Sequence, residues 1–376
     1  MSSAVCRVRP GWLPVLACAA LLNRTGQAAE LESQLSPDGS IAVPAFTLPY
    51  SSFASADGKR RLIELHTQTH ELEEASRADI ATFRKVADER LFQPLVARQN
   101  ARYRVVMTAQ TLGGVPVEVF TPSTGLAAQN QDRVLINLHG GAFLIGALTA
   151  GRIESIPIAD QMKIKVISVD YRMAPEFTFP AASEDVAAVY REVLKTYRPG
   201  NIGIYGCSAG GILTGEVIPW FQKEHLPRPG AVGIFCASTN GAFAGDSMQL
   251  AARITATGPP PQGQPEKLAG PYFKGASPQD PLAVPAASEE VLRQFPPTLF
   301  ISGTRSEELS SAVQSQVGLA LLGVDARISI WDGMTHGFFY DPDLPESREA
   351  YRIIAAFFSE HLGRRDQPVK HTRMHD

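Results

Sequence analysis

Cysteine and unbalanced charge are both scarce in this sequence. The chain has four cysteines in 376 residues and a formal net charge of −3. Cys6 and Cys18 belong to an N-terminal leader, and the remaining two, Cys207 and Cys236, do not make a disulfide framework. We expect two small buried thiols, although a bridge between neighbouring strand ends is conceivable. The near-neutral charge gives no sign of nucleic acid or another polyanion as a partner.

The sequence also lacks internal repeats and, after the leader, any apolar run long enough to cross a membrane. No stable membrane insertion is therefore predicted. In the leader, Arg7 and Arg9 precede an apolar run at 11–22, and residues 26–28 offer a small-x-small cleavage site, which predicts a signal peptide over 1–28. The protein is then expected to be secreted or periplasmic, and cytoplasmic if the leader is not cleaved. The polar, mostly basic residues 364–376 are interpreted as a disordered tail.

Predicted strands and helices alternate through the middle of the chain. Hydrophobic residues make up 44% of the sequence, and the length suits one large α/β domain or two ordinary ones. The predicted strands are 103–107, 115–120, 134–138, 166–169, 202–205, 232–235, 299–302 and 328–331. The predicted helices between most of them are 153–162, 182–197, 212–225 and 312–322. This alternation predicts a mostly parallel sheet of about eight strands with helices on both faces.

Three other segments complete the predicted organisation. Residues 31–49 read as irregular, and 78–98 carry a helical apolar pattern, so 29–100 is interpreted as a helical region covering one face or the mouth of the main domain at 101–363. Residues 239–287 are rich in glycine, proline and polar residues. An insertion of this length between core strands is usually a functional lid.

Residues 206–210, Gly-Cys-Ser-Ala-Gly, fit the G-x-S-x-G pattern between a predicted strand and a predicted helix. The serine of such a strained turn leaves no room for a Cβ two residues before or after it. The turn lifts the Ser208 hydroxyl above the sheet, with the helix N-terminus facing charge that develops there. This context favours a nucleophile over a structural turn rich in glycine and serine.

Two further loops carry candidate catalytic groups. His139-Gly140-Gly141 directly follows the strand at 134–138, and the N–H groups of Gly140, Gly141 and Ala209 are predicted to form an oxyanion hole. His336 lies on the loop after the last predicted strand and is the candidate general base. No metal site is predicted, because the other histidines show no ligand spacing beyond an i, i+4 pair at 66 and 70, interpreted as a surface pair.

Together these motifs resemble the hormone-sensitive-lipase-like family of α/β-hydrolases. The matching segments are 139–143, 170–176, 179–182, 206–211 and 335–338, within about residues 100–362. The resemblance implies an α/β-hydrolase fold, a Ser/His/acid triad, no cofactor and a helical cap over the acyl pocket. It also implies that residues 171–176 brace the oxyanion loop. The implied activity is that of a serine esterase on short- or medium-acyl esters or lactones, with a small hydrophobic substrate as the partner.

The sequence departs from the family pattern in two places. Cys207 stands where the family usually has Asp, outside the triad, and Ser306 stands where the triad acid is expected. Glu307 or Glu308 could reach His336 instead, and Glu307 is preferred for closeness. The alternative is that Ser306 caps a helix whose first turn simply favours two glutamates. Loss of the acid can cost around 10⁴ in kcat, so a small-molecule binding protein on a weakened hydrolase fold is the alternative function.

Overall fold

The computed structural model describes residues 34–241, 243–255, 268 and 270–363. The predicted signal peptide at 1–28 and the predicted tail at 364–376 lie outside these residues. The localisation depends on the signal peptide and therefore stays a prediction. The chain divides into two units, Met1–Pro49 and Tyr50–Asp376. In the described part of the first unit, residues 34–49, β1 (Gln34–Leu35) and β2 (Ile41–Ala42) form a short antiparallel pair.

In the described part of the second unit, eight strands form one sheet in the order β10-β9-β8-β7-β5-β6-β4-β3. The strands are β3 (Val105–Leu112), β4 (Val115–Pro122), β5 (Val134–Leu138), β6 (Lys165–Val169), β7 (Ile202–Cys207), β8 (Ala231–Phe235), β9 (Thr298–Gly303) and β10 (Ala326–Trp331). Strands β5 to β10 run parallel, whereas β4 is antiparallel to β6 and to β3. The predicted mostly parallel sheet of about eight strands is confirmed.

Helices cover both faces of this sheet. The helices that follow the first parallel strand are α4 (Thr149–Met162), α5 (Ala181–Leu194), α6 (Ala209–Lys223), α7 (Asp246–Thr255), α8 (Glu289–Arg293), α9 (Leu309–Leu321) and α10 (Pro345–His361). Successive strand residues point to opposite faces. On β5, Ile136 joins a buried cluster with Leu213 of α6, while Leu135 joins a second cluster with Phe358 of α10. Because the parallel strands share one direction, the loops after β5, β7 and β9 meet at the same edge.

Within residues 34–104, three α-helices precede the sheet, and this part of the predicted cap region is called the cap below. They are α1 (Ala56–Ser76), α2 (Ile80–Ala87) and α3 (Gln93–Arg102), the last two joined by a π-helical turn. Side chains of Ser55 and Asp79 accept hydrogen bonds from the first turns of α1 and α2, as N-caps do. Arg84 of α2 donates to the Leu144 carbonyl at 2.8 Å and pairs with Glu176 at 2.7 Å. These bonds tie the cap to the main domain. The helical pattern at 78–98 predicted α2 and α3, but α1 was missed.

The segment after β8 contains α7 and two short 3₁₀ turns, and residues 256–267 and 269 lie outside the described part. Its Tyr272 ring stacks on Phe143 with centroids 4.1 Å apart, and Phe273 meets the same ring edge-on. The insertion therefore contacts the loop after β5, while its role as a lid stays a prediction. Among the described helices, none combines the length and apolarity that a membrane crossing requires.

Candidate active site

Ser208 occupies a sharp turn between β7 and α6. Its backbone has φ 58° and ψ −122°, a strained conformation for a residue with a side chain. A Cβ built on Gly206 would lie 2.1 Å from the Leu138 carbonyl oxygen, and one on Gly210 only 1.8 Å from the same atom. The expectation that neither position tolerates a Cβ is confirmed. The two glycines let β7 and α6 approach the end of β5.

His336 lies on the loop after β10, at the same edge of the sheet as Ser208. The N–H of Gly337 donates to the Cys236 sulfur at 3.3 Å. Cys236 directly follows β8, the neighbour of β7. The Cys236 sulfur, a Glu308 carboxylate oxygen and a His336 ring nitrogen all lie within 4.8 Å of one another. The loop carrying His336 thus packs against the strand ends beside the serine.

A buried carboxylate holds the His336 ring, and it belongs to Glu308. The His336 Nδ1 lies 2.9 Å from Glu308 Oε2 but 3.9 Å from the nearest oxygen of Glu307. Glu308 also accepts hydrogen bonds from Ser302 Oγ, at 2.9 Å, and from Ser306 Oγ. Because a carboxylate only accepts, Nδ1 carries the ring proton and Nε2 is left to take another. The preference for Glu307 as the residue bonded to His336 is therefore corrected to Glu308.

The backbone between β9 and α9 explains this correction. Residue 308, not Ser306, is the N-cap position of α9, and no side chain caps it. Ser306 is fully buried and donates to the acid instead of capping the helix. The Glu308 side chain is completely buried at the sheet edge, whereas that of Glu307 is 31% exposed. The interpretation of both glutamates as first-turn helix charges is therefore wrong, because α9 begins only at Leu309.

The charges of this pair support each other. Burial works to raise the pKa of Glu308, but His336 and the Ser306 hydroxyl outweigh it and the pKa is lowered. Burial works to lower the pKa of His336, yet the carboxylates of Glu307 and Glu308 raise it well above the usual range. The pair therefore favours a carboxylate beside an imidazolium, the electrostatic role of a triad acid.

The loop after β5 is braced from behind. The buried His139 ring stacks on Tyr171 with centroids 4.3 Å apart, and the Tyr171 hydroxyl donates to the His139 carbonyl at 2.6 Å. Burial lowers the pKa of His139 to about 4, so the ring is neutral. The Ala174 N–H donates to the Phe143 carbonyl at 2.8 Å. These contacts match the bracing role that the resemblance implied for residues 171–176.

The backbone amides of this loop differ from the expected oxyanion set. The Gly140 N–H donates to Oε1 of the buried Glu154 at 2.9 Å, so the prediction that Gly140 serves an oxyanion is wrong for this structure. Gly141, with φ 120°, and Ala142, with φ 55°, have N–H groups without an acceptor in the described part of the chain. Ala209 opens α6, where helix N–H groups have no intrahelical partner. The N–H groups of Gly141, Ala142 and Ala209 therefore remain as candidate oxyanion donors. Ala142 was not among the predicted ones.

A cavity of about 200 Å³ lies beside His336 under the cap. Its walls are mostly apolar, and the loop that carries His336 contributes Met334 and Phe338 to them. Arg61 and Asp341 are charged residues of the lining. The cap contributes five leucines, Leu62, Leu65, Leu72, Leu91 and Leu95. The first three come from α1, the helix that sequence reasoning missed.

Proteins that are similar to this chain in sequence or structure include several esterases. Residues 135–340, more than half of the chain, match a family model described as the alpha/beta hydrolase fold. An acetyl-hydrolase of Streptomyces hygroscopicus is 29% identical over 63% of this chain and 78% of its own length. Esterase LipU of Mycobacterium tuberculosis is 28% identical over 69% of this chain and 88% of its own.

Solved structures agree with these relatives. The crystal structure of an esterase superimposes with a TM-score of 0.72 and 28% identity, covering 86% of this chain and 99% of that one. An esterase from the bacterial hormone-sensitive lipase family gives a TM-score of 0.67 and 26% identity, covering 82% and 99%.

Proposed function

Because this chain belongs to the hormone-sensitive-lipase-like family of α/β-hydrolases and is a carboxylic ester hydrolase, we propose that it acts through an acyl-enzyme on Ser208. The observation that carries the proposal is the 2.9 Å hydrogen bond from His336 Nδ1 to the buried Glu308 carboxylate. In the proposed mechanism Glu308 therefore serves as the acid that supports His336. It leaves His336 Nε2 as the nitrogen that exchanges protons with substrate and serine.

In the proposed reaction the Ser208 hydroxyl attacks the ester carbonyl carbon, and its proton passes to His336 Nε2. The carbonyl oxygen becomes an oxyanion held by the N–H groups of Gly141, Ala142 and Ala209. The tetrahedral intermediate collapses as the ester C–O bond breaks, and the imidazolium returns the proton to the departing alkoxide. Water then attacks the acyl-enzyme by the same route and releases the acid.

The proposed substrates are short- or medium-acyl esters or lactones with a hydrophobic body. The apolar cavity beside His336 supports this choice, because its leucines favour burial of an alkyl group over a charged one. The charged members of its lining, Arg61 and Asp341, lie 3.8 Å apart and balance each other. In a lactone the departing alkoxide remains part of the acyl group, so the same atoms perform ring opening.

The alternative of a binding protein on a weakened hydrolase fold depended on the absence of an acid. That premise is wrong for this structure, because a carboxylate contacts the His336 ring. No other observation favours the alternative, and it is not retained.

Hydrolysis of p-nitrophenyl butyrate by the purified wild-type protein and its Ser208→Ala variant tests the proposal. We expect the variant to lose at least about 10³-fold in kcat while retaining the fold, because the nucleophile is removed and the buried core is untouched. Thermal unfolding of both proteins provides the control. Equal rates for two folded proteins would rule out Ser208 as the nucleophile.

A further inference from the structure

One buried side chain contacts both loops that carry the proposed catalytic groups. Glu154 of α4 is 1% exposed. Its Oε1 accepts from the Gly140 N–H at 2.9 Å, on the loop that presents the oxyanion donors. The same oxygen accepts from the hydroxyl of Tyr340, four residues after the proposed base His336. A single carboxylate oxygen thus bridges two loops through residues that are 200 positions apart in the sequence.

The packing at Gly140 brings the same pieces to one point. A Cβ at this position would lie 2.7 Å from the Tyr340 hydroxyl, 2.9 Å from the Cys207 carbonyl and 3.5 Å from Glu154 Oε1. Cys207 directly precedes the proposed nucleophile. The glycine therefore allows the oxyanion loop, the end of the nucleophile strand and the base loop to touch.

The second oxygen of Glu154 is held from the sheet. Asn137 of β5 donates its Nδ2 to Glu154 Oε2 at 2.8 Å, and the Asn137 amide is oriented by Ser168, which donates to Oδ1 at 2.8 Å. The Gly140 N–H, the Tyr340 hydroxyl and the Asn137 NH₂ group are all donors, and the ionised Glu154 side chain accepts from each of them. Burial raises the pKa of Glu154 to about 7, and the donors act against that rise.

We propose that Glu154 is a positioning residue that fixes the Gly141 and Ala142 amides relative to His336 by holding Gly140 and Tyr340 on one oxygen. The inference rests on the proposed function, because it assigns a purpose to the geometry of those groups. Glu154 does not touch the substrate. Its effect appears in the step that builds the oxyanion and not in ground-state binding.

The first test removes the bridging hydroxyl with Tyr340→Phe. We expect kcat to fall about 10- to 100-fold, with KM within about threefold, because a small displacement of aligned groups acts on the transition state. Affinity for an alkyl trifluoromethyl ketone, which forms an oxyanion adduct, should fall by the same factor as kcat/KM. Tyr190→Phe is the matched control, since it removes a buried hydroxyl that donates to Pro227 at 2.9 Å, away from both loops.

The second test exchanges the hydrogen-bond pattern. Glu154→Gln places an NH₂ group against the NH₂ of Asn137, and we expect a loss of about 100-fold in kcat. Adding Asn137→Asp places a carboxylate opposite the new NH₂ group at position 154, so a donor again faces an acceptor. The oxygen at position 154 that faces Gly140 and Tyr340 is kept. The double variant should therefore recover at least about tenfold in kcat over Glu154→Gln. This pair decides the question even if Tyr340→Phe fails to fold.

Two results would overturn the inference. One is a folded Tyr340→Phe protein with the kcat/KM and ketone affinity of the Tyr190→Phe control. The other is a folded double variant that recovers nothing over Glu154→Gln. Ser208→Ala is measured in parallel. If it retains wild-type activity, the proposed function has failed, whereas an inactive Ser208→Ala beside a fully active Tyr340→Phe defeats only the role of Glu154.

Discussion

Replacing Glu308 by glutamine removes one buried charge and leaves its shape almost unchanged. In the wild type one carboxylate oxygen receives His336 Nδ1–H and the Ser306 hydroxyl, and the other receives the Ser302 hydroxyl. The glutamine oxygen can keep the first two donors, and its NH₂ group then faces Ser302, whose hydroxyl can rotate to accept. The substitution therefore isolates the electrostatic support of the imidazolium from the orientation of the ring.

The expected loss in kcat for Glu308→Gln is about 10⁴-fold, or roughly 5 kcal/mol, as for loss of the acid in a triad. Its pH dependence has a definite sign. The carboxylates raise the pKa of His336, and the base acts only when neutral, so activity rises as pH rises through that pKa. Removing one carboxylate lowers the His336 pKa, so the acid limb of kcat/KM moves to lower pH while the plateau falls.

The matched control is Glu307→Gln. The nearest oxygen of Glu307 lies 3.9 Å from His336 Nδ1 on a side chain that is 31% exposed, so solvent weakens its effect. We expect kcat to stay within about threefold of wild type. Initial rates with p-nitrophenyl butyrate from pH 5 to 9 measure both variants. A Glu308→Gln protein near the wild-type plateau, or a Glu307→Gln protein that loses most of its activity, would refute the assignment of the acid.

Three further predictions concern the turn at Ser208, the stability of the Glu308–His336 ion pair and the cavity. Gly210→Ala should severely reduce the yield of soluble, folded protein, because its Cβ would lie 1.8 Å from a carbonyl oxygen. Gly215→Ala in the same helix, whose Cβ would have no neighbour closer than 3.8 Å, should leave the Tm unchanged or raise it. Similar Tm values for the two variants would contradict the prediction. The difference in unfolding free energy between wild type and Glu308→Gln should be greatest between about pH 4.5 and 6.5. It should shrink as pH falls through the lowered pKa of Glu308 and as pH rises through the raised pKa of His336. Chemical denaturation across this pH range measures the difference, and a value that does not change with pH would contradict the prediction. Leu62→Trp should raise the KM for p-nitrophenyl octanoate about tenfold and leave the KM for p-nitrophenyl acetate nearly unchanged, because the larger side chain fills the cavity under the cap. Equal changes in KM for the two esters would show that the acyl group binds elsewhere.

The sheet and the turn at Ser208 were predictable because their causes are local. The strand at 134–138 is a continuous apolar run, and the structure gives β5 the same bounds. The Gly206 and Gly210 positions follow from the steric requirement of a tight strand-to-helix turn, which any sequence at that place must meet.

The cap helix α1 was not predictable in the same way. Much of its surface faces solvent, and its apolar residues form only a thin stripe among charged neighbours. Three of those residues, Leu62, Leu65 and Leu72, line the cavity. Their role depends on where the helix lies, which no local pattern determines.

The contacts of Glu308 and of the Gly140 N–H depend on long-range packing. Whether Glu307 or Glu308 reaches His336 is decided by the path of the chain between β9 and α9. The direction of the Gly140 N–H is set by Glu154, fourteen residues away and on a different element. Side-chain type limits the candidates at such positions, and only tertiary structure chooses among them.

Trapping the nucleophile tests the central claim most directly. Diethyl p-nitrophenyl phosphate transfers its phosphoryl group to an activated serine and releases p-nitrophenol, and peptide mass spectrometry locates the adduct. The account predicts one adduct per chain on Ser208, formed at the rate at which activity is lost and absent from Ser208→Ala. Complete inactivation with the label on another residue, or with Ser208 unmodified, would contradict it.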